Sequence, residues 1–311
     1  MPDYAVFGGR LRSALPLAGL APLPPDAAPD WRLRADDHPP APCATPPLAE
    51  VADGELRIRL HALGDGWRLA YDDTGTYDVS ADGARWTWHR VPGAAPELVQ
   101  ADVLGRVAAL ALAARGALPL HGSCVTLGGR GVVFLGGKHF GKSTLAAALA
   151  SAGARLVADD MAVIHPGPPA RLRPGVPLLR LWNEAAAQVD GIGGTRIDGE
   201  KQTLADLPPA RVETRPAPLA AIYVLHPVDA AEEPARRARL SPMDAVLAMM
   251  AHAKLGPLLR GPPAAAHLSR ASAVAAGVPS YTLTVARGFE RLPDVVERIV
   301  AWHPLREMAV A

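Results

Sequence analysis

The chain has 311 residues, of which 49% are hydrophobic and 20% are charged, and its formal net charge is +1. This composition predicts a globular protein with one large domain or two modest ones. The near balance of charge argues against a general nucleic-acid-binding or membrane-binding surface.

Cysteine content and apolar runs indicate the compartment. Cys43 and Cys124 are the only cysteines and lie far apart, so neither a disulfide framework nor a zinc site is expected. The N-terminus lacks a basic region followed by an apolar core, and the longest apolar run, residues 107–114, is too short to span a bilayer. We therefore expect a cytoplasmic protein.

Short alternating patterns dominate the first part of the chain. Residues 56–60 alternate strictly, and Trp67, Leu69 and Tyr71 follow a Gly-Asp-Gly turn on one face. Further strands are predicted at residues 4–13, 31–34, 77–79 and 86–88, and the rest of residues 21–50 is expected to be connection. Residues 1–95 are thus predicted to form a small antiparallel β domain, separate from a second domain over residues 96–311.

The second domain is predicted to begin with a helix and to contain a glycine-rich loop. Apolar residues recur at helical spacing over residues 97–115. Residues 132–135 are an apolar strand, residues 136–143 read G-x-x-x-x-G-K-S, and a helix with Leu145, Ala148 and Leu149 on one face follows. Strand, loop and helix together are the context that a Walker A motif requires.

Each residue type in this loop has a chemical reason. Gly136 and Gly141 allow backbone conformations in which successive N–H groups point at phosphate oxygens, and the helix start adds its positive end. Lys142 supplies a charge for the β- and γ-phosphates, and the Ser143 hydroxyl is a hard oxygen ligand for Mg²⁺. The predicted nucleotide-binding residues are Gly136, Gly137, Lys138, His139, Phe140, Gly141, Lys142, Ser143 and Thr144.

Two flanking motifs make this pattern more specific. His121-Gly122 precedes the loop strand, and an apolar strand at residues 156–160 ends in Asp159-Asp160. In order and spacing these motifs resemble the HPr serine kinase family and its relatives, which share a catalytic core with phosphoenolpyruvate carboxykinases. The clear resemblance covers residues 118–165. It implies an α/β fold, with a P-loop-containing core of that type serving as the nucleotide-binding catalytic domain.

The two acids are expected at the carboxyl end of a strand beside the loop strand, where open α/β sheets place their ligand crevice. Adjacent strand residues point to opposite faces, so the acids should have different roles. The resemblance implies that Asp160 takes the proton from a substrate serine and that His121 lies near it and the γ-phosphate. Asp159 is then the candidate for Mg²⁺, together with Ser143.

Cations are needed around the transferring phosphoryl group. Lys201 is the first candidate and Arg180 the second, with Arg196 and Arg215 in reserve. Lys201 and Arg196 belong to residues 190–203, whose glycines and charges predict a loop over the site. The remaining predicted elements are core strands at residues 161–164, 177–182, 219–225 and 280–285, and helices at residues 242–254 and 294–302.

Three departures from HPr kinases bear on the acceptor. Leu179 stands where that family has a magnesium-holding glutamate, and Arg215-Pro216-Ala217-Pro218 replaces a run tied to dephosphorylation. The N-terminal motifs also differ, and residues 7–17 resemble the start of HPr-kinase-like proteins in peptide-tailoring gene clusters. Together these favour a relative that phosphorylates another acceptor.

The resemblance thus implies an ATP- and Mg²⁺-dependent kinase acting on a serine of a peptide or small protein, particularly the C-terminal serine of lasso precursor peptides. One alternative acceptor is HPr or a similar carrier protein. A nucleotide-gated ATPase or binding module without an acceptor is the alternative of another class, although residues 220–225 end in His226-Pro227 without the usual Walker B acid. The family's hexamers also make self-association an expectation.

Overall fold

The computed structural model describes residues 1–24, 28–54, 56–189, 192–197 and 202–304. The chain divides into two compact units: Met1–Pro119 with Ala253–Arg270, and Leu120–His252 with the chain from Ala271 onward. Residues 96–119 therefore group with the N-terminal strands, whereas the sequence placed a boundary between residues 95 and 96. No helix in the described ranges combines the length and apolar character needed to cross a bilayer.

The first unit is built on one mixed sheet with strand order β1-β2-β3-β8-β7-β6-β5-β4. Its strands are β1 Asp3–Val6, β2 Gly9–Ser13, β3 Trp31–Asp36, β4 Ala49–Asp53, β5 Leu56–Leu63, β6 Gly66–Tyr71, β7 Gly75–Ser80 and β8 Arg85–Arg90. The predicted strands are confirmed, but the prediction of a purely antiparallel domain is wrong, because β3 pairs in parallel with both β2 and β8. Long connections on either side of β3 let the chain return to the same end of the sheet before the next pairing, which tight turns do not allow.

Alternation along these strands buries one face of the sheet. Trp31 and Trp86 are both 1% exposed, and their ring centroids lie 6.3 Å apart. Tyr77 is fully buried and packs against Trp88 and Tyr71. Aromatic residues of this size supply most of the apolar area that a small sheet can bury on one face.

Strand β4 begins within residues 21–50, which apart from residues 31–34 were predicted to be connection, and that prediction is wrong at Ala49 and Glu50. It pairs along its length with β5, with Ala49 opposite Leu60. Arg57 and Arg59 of β5 both bond the Glu50 carboxylate. Pairing with a strongly alternating neighbour therefore makes a strand of residues with little strand propensity of their own.

The predicted helix over residues 97–115 is present but interrupted. It consists of α1 Pro96–Asp102, a π-helical turn Val103–Val107 and α2 Ala108–Ala114. Gly105 within the turn has φ −95° and ψ −109°, which is not a helical conformation. The apolar periodicity of the sequence does not reveal this break because both halves bury the same kind of residue.

The second unit contains a larger mixed sheet and a small separate one. Its strands are β10 Gly122–Leu127, β11 Arg130–Leu135, β12 Arg155–Ala158, β13 Ala162–His165, β14 Arg171–Arg173, β15 Leu179–Leu181, β16 Thr195–Ile197, β17 Gln202–Ala205, β18 Ala217–Val228, β19 Ala235–Arg239 and β20 Ser280–Ala286; β9 Leu118–Leu120 precedes them at the division between the units. The helices are α3 Lys142–Ser151, α4 Asn183–Ala187, α5 Pro242–Ala251 and α7 Leu292–Trp302, while α6 Gly261–Gly277 is divided between the two units at Arg270.

In the large sheet, β10 lies between β12 and β11, and β11 is followed by β18. Strand β10 is antiparallel to both of its neighbours, whereas β11 and β18 are parallel, as are β18 and β20. Strands β10 and β11 form a hairpin closed by Gly128 and Gly129, with φ of 57° and 76°. Positive φ at both central residues is what a tight two-residue hairpin turn requires.

Two predictions about this unit need correction. Residues 156–160 were predicted as a strand that residues 161–164 continue, but the strand ends at Ala158 and a new one begins at Ala162, because Asp160 takes φ 69°. Residues 177–182 were predicted to add a core strand, but β15 belongs to the small sheet of order β15-β17-β16. The predicted loop at residues 190–203 contains β16 and the start of β17, while residues 190, 191 and 198–201 lie outside the described part of the chain.

The helix α3 after the glycine-rich loop packs into the main core of this unit. Leu145 and Leu149 are 3% and 0% exposed and join a cluster that includes Phe134 of β11 and Tyr223 of β18. The Phe134 and Tyr223 rings stack with their centroids 5.9 Å apart. This packing fixes the start of α3 against the end of β11, which is where the loop between them must lie.

Candidate active site

The order of three strands brings distant parts of the sequence to one edge of the sheet. Because β10 runs opposite to β11 and β12, its beginning lies beside their ends: Gly122 is opposite Leu135, and Cys124 is opposite Ala158. His121 therefore meets both the loop that follows Leu135 and the two acids that follow Ala158. The acids lie one strand further from the loop strand than predicted, since β12 pairs with β10 and not with β11.

The glycine-rich loop is held in shape by its own lysine. Lys142 Nζ donates hydrogen bonds to the carbonyl oxygens of Gly136 at 3.0 Å and Gly137 at 2.9 Å. Gly141 takes φ 81° at the start of α3, and His139 takes φ 65°, which is unusual for a residue with a Cβ. This backbone turns the chain sharply from β11 into α3 and leaves the helix start facing a cavity.

That cavity has a volume of about 300 Å³ and gathers the predicted residues. Its lining consists of His121, Ser123, Lys138, His139, Phe140, Gly141, Lys142, Ser143, Thr144, Asp159, Asp160, Arg180, Leu181 and Trp182. The predicted residues Gly136 and Gly137 are not part of this lining, but their carbonyl oxygens accept hydrogen bonds from Lys142, which is. Ser123, Leu181 and Trp182 were not predicted.

The Asp159 carboxylate accepts three hydrogen bonds from three different segments. Its Oδ1 accepts from Ser143 Oγ at 2.8 Å and from Ser123 Oγ at 2.5 Å, and its Oδ2 accepts from the backbone N–H of Arg180 at 3.0 Å. Ser123 is completely buried. Ser123 is one of two polar residues in β10 and directly follows His121-Gly122, but this pattern alone does not identify its partner.

His121 and Asp160 form the second polar pair of the cavity. His121 Nδ1 lies 3.1 Å from Asp160 Oδ1, and both side chains are close to half exposed. The backbone N–H of His121 donates to the carbonyl of His252 at 2.7 Å, which fixes the start of β10. Burial lowers the pKa of His252, and Lys142 and His121 lower it further.

Asp159 and Asp160 lie in a bend that follows β12 and not in the strand itself. The prediction was that strand alternation would point them to opposite faces, but neither lies within a strand. Asp160 takes the left-handed φ of 69°, and both acids line the same cavity. Aspartate tolerates this conformation better than most residues.

One wall of the cavity is an aromatic stack between the loop and the residue that follows β15. The His139 and Trp182 rings lie 5.3 Å apart at an interplanar angle of 19°. Leu179 and Leu181 of β15 are buried, so Arg180 between them is exposed and reaches the cavity. Lys138, at the start of the loop, is likewise exposed on the lining.

The other predicted cations are placed differently. Lys201 lies outside the described residues. Arg196 lies on β16, donates to Gln202 and does not line the cavity, and Arg215 is exposed away from it. Of the described cations that were predicted for the phosphates, Lys138, Lys142 and Arg180 are therefore at the site.

The oxygen atoms of Ser143 and Asp159 suit a divalent cation. Within the described ranges no group of three or more His, Cys, Asp or Glu side chains is arranged to hold a metal ion. Mg²⁺ typically takes one or two protein ligands and completes its octahedron with water and phosphate oxygens. A hydroxyl and a carboxylate already 2.8 Å apart on the cavity wall fit that requirement.

No protein-family model matches this sequence, and no curated protein matches it either. Among solved structures, the HPr(Ser) kinase/phosphatase from Coxiella burnetii matches with 15% sequence identity and a TM-score of 0.30. The match covers 59% of this chain and 96% of that one. Because a TM-score of 0.30 is too low to support a shared fold or activity, the functional conclusions rest on the residues of the cavity.

Proposed function

We propose that this chain is an ATP- and Mg²⁺-dependent kinase that phosphorylates a serine hydroxyl of a peptide or small protein. The observation that carries the proposal is one cavity bordered by the Walker A residues Lys142 and Ser143 and by the Asp160 carboxylate. A triphosphate cradle and a proton acceptor at the same cavity are the two parts that transfer to an alcohol requires.

The transfer itself makes one bond and breaks one. The serine oxygen attacks the γ-phosphorus, the bond to the oxygen bridging to the β-phosphate breaks, and ADP leaves. The serine proton passes to Asp160, whose carboxylate His121 orients from 3.1 Å. A carboxylate is a weak base, but it suffices when the transition state is loose and the hydroxyl is well positioned.

Positive charge and hydrogen-bond donors match the phosphate tail. Lys142, the N-terminal end of α3 and the loop N–H groups would bind the β- and γ-phosphates. Ser143 and Asp159 would hold Mg²⁺, which when bound neutralises charge on those phosphates. Ser123 and the Arg180 N–H keep the Asp159 carboxylate turned toward Ser143.

The acceptor that we propose is the C-terminal serine of a ribosomally made precursor peptide of the lasso class. The motif resemblance of residues 7–17 and the two departures at Leu179 and at residues 215–218 favour such a peptide over a carrier protein of the HPr type. A cavity that stays open to solvent at Asp160 suits an acceptor delivered on a chain end.

The test is phosphoryl transfer with candidate acceptors. The purified protein is incubated with ATP, Mg²⁺ and either synthetic precursor C-terminal peptides ending in serine or HPr, and products are identified by mass spectrometry. We expect phosphopeptide and acceptor-dependent ADP release. Lys142→Ala should lower both by at least about a hundredfold, in line with the loss of a group that stabilises transition-state charge, while Arg196→Ala, away from the cavity, should leave them unchanged.

A different result would redirect the assignment. ATP consumption that is equal with and without every acceptor, and that yields no phosphopeptide, would indicate a nucleotide-gated ATPase. Phosphorylation of HPr alone would retain the kinase and replace the acceptor.

A further inference from the structure

The cavity carries more positive charge than its own acids and the phosphate cradle account for. Among its lining residues are three basic side chains, Lys138, Lys142 and Arg180, and two acidic ones, Asp159 and Asp160. Asp159 is bound by two serine hydroxyls and a backbone N–H, and Asp160 is paired with His121. Lys142 is bound to the loop carbonyls.

The side chains of Lys138 and Arg180 take no part in these hydrogen bonds and ion pairs. Both side chains are exposed on the cavity wall, and within the described part of the chain neither forms an ion pair. They come from different elements, the glycine-rich loop and β15. Arg180 is tied to the reaction site by its backbone N–H, which bonds Asp159 Oδ2 at 3.0 Å.

The His139–Trp182 stack joins the two elements that carry these cations. His139 follows Lys138 in the loop, and Trp182 lies two residues after Arg180, so the ring pair and the two cations border the same side of the cavity. His139 has a left-handed backbone with φ 65°, a conformation that costs free energy for a residue with a Cβ and persists only where the surrounding structure imposes it. The two stacked rings give this wall a largely apolar surface. Lys138 of the loop lies next to one ring in sequence, and Arg180 of β15 lies two residues from the other.

We infer that Lys138 and Arg180 bind a carboxylate that the acceptor carries next to its hydroxyl, with the His139–Trp182 stack as the wall against which that residue packs. This deepens the proposed function and rests on it. The sequence predicted Lys138 for the nucleotide and Arg180 for the transferring phosphoryl group, and this inference gives both a different role, because Lys142, the loop N–H groups and the start of α3 are already available to the triphosphate. A planar guanidinium matches a carboxylate with two parallel hydrogen bonds.

The lining of the cavity restricts where that carboxylate can be. Lys138 and Arg180 line the same cavity as Asp160, the proposed base for the acceptor hydroxyl. The carboxylate is therefore on the acceptor residue itself or on its immediate neighbour. A C-terminal serine supplies one as its α-carboxylate, and an internal serine followed by aspartate supplies one from a side chain.

Three synthetic peptides separate these sources: one ending in serine with a free carboxylate, the same peptide as a C-terminal amide, and a Ser-Asp amide. Binding is measured by calorimetry with a non-hydrolysable ATP analogue and Mg²⁺, and kcat/KM is measured with ATP. The amide should bind and react about tenfold more weakly than the free acid, the scale of a lost charge-assisted hydrogen bond. If the Ser-Asp amide recovers binding, a side-chain carboxylate serves equally well.

Variants identify the residues. Arg180→Met and Lys138→Met should raise the KM for the free-acid peptide about tenfold and abolish the difference between acid and amide. Arg196→Met, a cation of the same small sheet outside the cavity, is the matched control and should change none of these. Thermal unfolding of each variant checks that the fold is intact.

Each contrary result has a distinct meaning. Equal binding and reaction of all three peptides, failure of all three to bind, or variants that raise the KM for ATP instead, would overturn the inference. Carboxylate-dependent binding without any phosphoryl transfer would support it while the proposed kinase activity failed. Transfer that ignores the carboxylate would keep the kinase and remove this recognition.

Discussion

The Ser143 hydroxyl, in the first turn of α3, lies 2.8 Å from the Asp159 carboxylate, in the bend after β12. Ser123 Oγ contacts the same carboxylate oxygen at 2.5 Å from the start of β10. Three separate elements thus converge on one oxygen atom. A carboxylate oriented by fixed donors holds its remaining lone pairs in a constant direction, which is the condition for binding a cation with strict geometry.

Ser123→Ala tests this convergence. Asp159 would keep its bonds from Ser143 and Arg180 but lose the shortest one, and partners that orient a ligand typically affect metal affinity by tenfold or more. We expect the Mg²⁺ concentration for half-maximal activity to rise about tenfold, measured by titrating Mg²⁺ at saturating ATP.

Ser280→Ala is the matched control for that prediction. Ser280 is also a buried serine on a strand of the same unit, but its Oγ has no hydrogen-bond partner among the described residues. Its removal should leave the Mg²⁺ dependence unchanged. An unaltered Mg²⁺ titration in Ser123→Ala as well would show that Ser123 does not position Asp159.

Asp160→Asn should separate binding from turnover. Asparagine has the same shape and also tolerates the φ of 69°, so the bend after β12 should persist. Loss of a general base typically costs about a hundredfold or more in rate. We expect kcat to fall by that factor while the Kd for ATP, measured by calorimetry, stays within about twofold, because the phosphate cradle is formed by other residues. Near-normal turnover would exclude Asp160 as the base.

His303 should make the stability of the protein depend on pH. Burial, and then Arg237, lower its pKa from 6.5 to about 4. Between these values the unfolded chain binds more protons than the folded one. The contribution of His303 to the free energy of unfolding is therefore complete above about pH 6.5 and is lost as the pH falls toward 4. Urea unfolding from pH 7.5 to 4.5 should therefore show a smaller decline in His303→Gln than in the unmodified protein.

Arg237→Met provides a check on the cause. Arg237 donates to the Tyr223 hydroxyl, which lies 2.8 Å from His303 Nε2. Removing the cation leaves burial as the main influence on the His303 pKa. The free energy of unfolding of Arg237→Met should therefore decline between pH 7.5 and 4.5 by less than that of the unmodified protein but by more than that of His303→Gln. An equal decline in all three proteins would mean that His303 titrates normally in the fold.

Asp102 in the first unit should act in the opposite direction. Burial raises the pKa of this carboxyl from 3.8 to about 6. Its contribution to stability is complete below pH 3.8 and is lost as the pH rises through 6. Asp102→Asn can still accept the hydrogen bond from Thr74. Above pH 6 its free energy of unfolding, measured with urea, should therefore exceed that of the unmodified protein by at most about 3 kcal/mol. This difference should vanish toward pH 4. Lower stability of Asp102→Asn at pH 8 would contradict this.

Local signals were sufficient for much of the fold and of the cavity. The loop at residues 136–143, its strand and its helix were predictable because glycine spacing and apolar periodicity act within a few residues. His121, Asp159, Asp160 and Arg180 all line the predicted cavity. Their chemical roles remain predictions.

What could not be predicted depends on pairing between distant segments. The parallel pairing of β3 and the formation of β4 follow from which strands end up adjacent, and propensity carries no information about that. Ser123 reaches the cavity because of the register in which β10 pairs with β11 and β12. Trp182 reaches it because the preceding strand, β15, belongs to the small sheet. The break at Asp160 was hidden because apolar residues continue on both sides of it.

The Gly128–Gly129 turn closes the β10–β11 hairpin at the end opposite the cavity, yet it sets how those strands align. Strand side chains alternate between faces, so an added residue that slid β10 by one position would turn Ser123 to the other face and carry His121 away from Asp160. A change remote from every reacting group would thus dismantle the site while leaving both strands intact. Length changes at this hairpin end should be tolerated far less readily than its exposed position suggests.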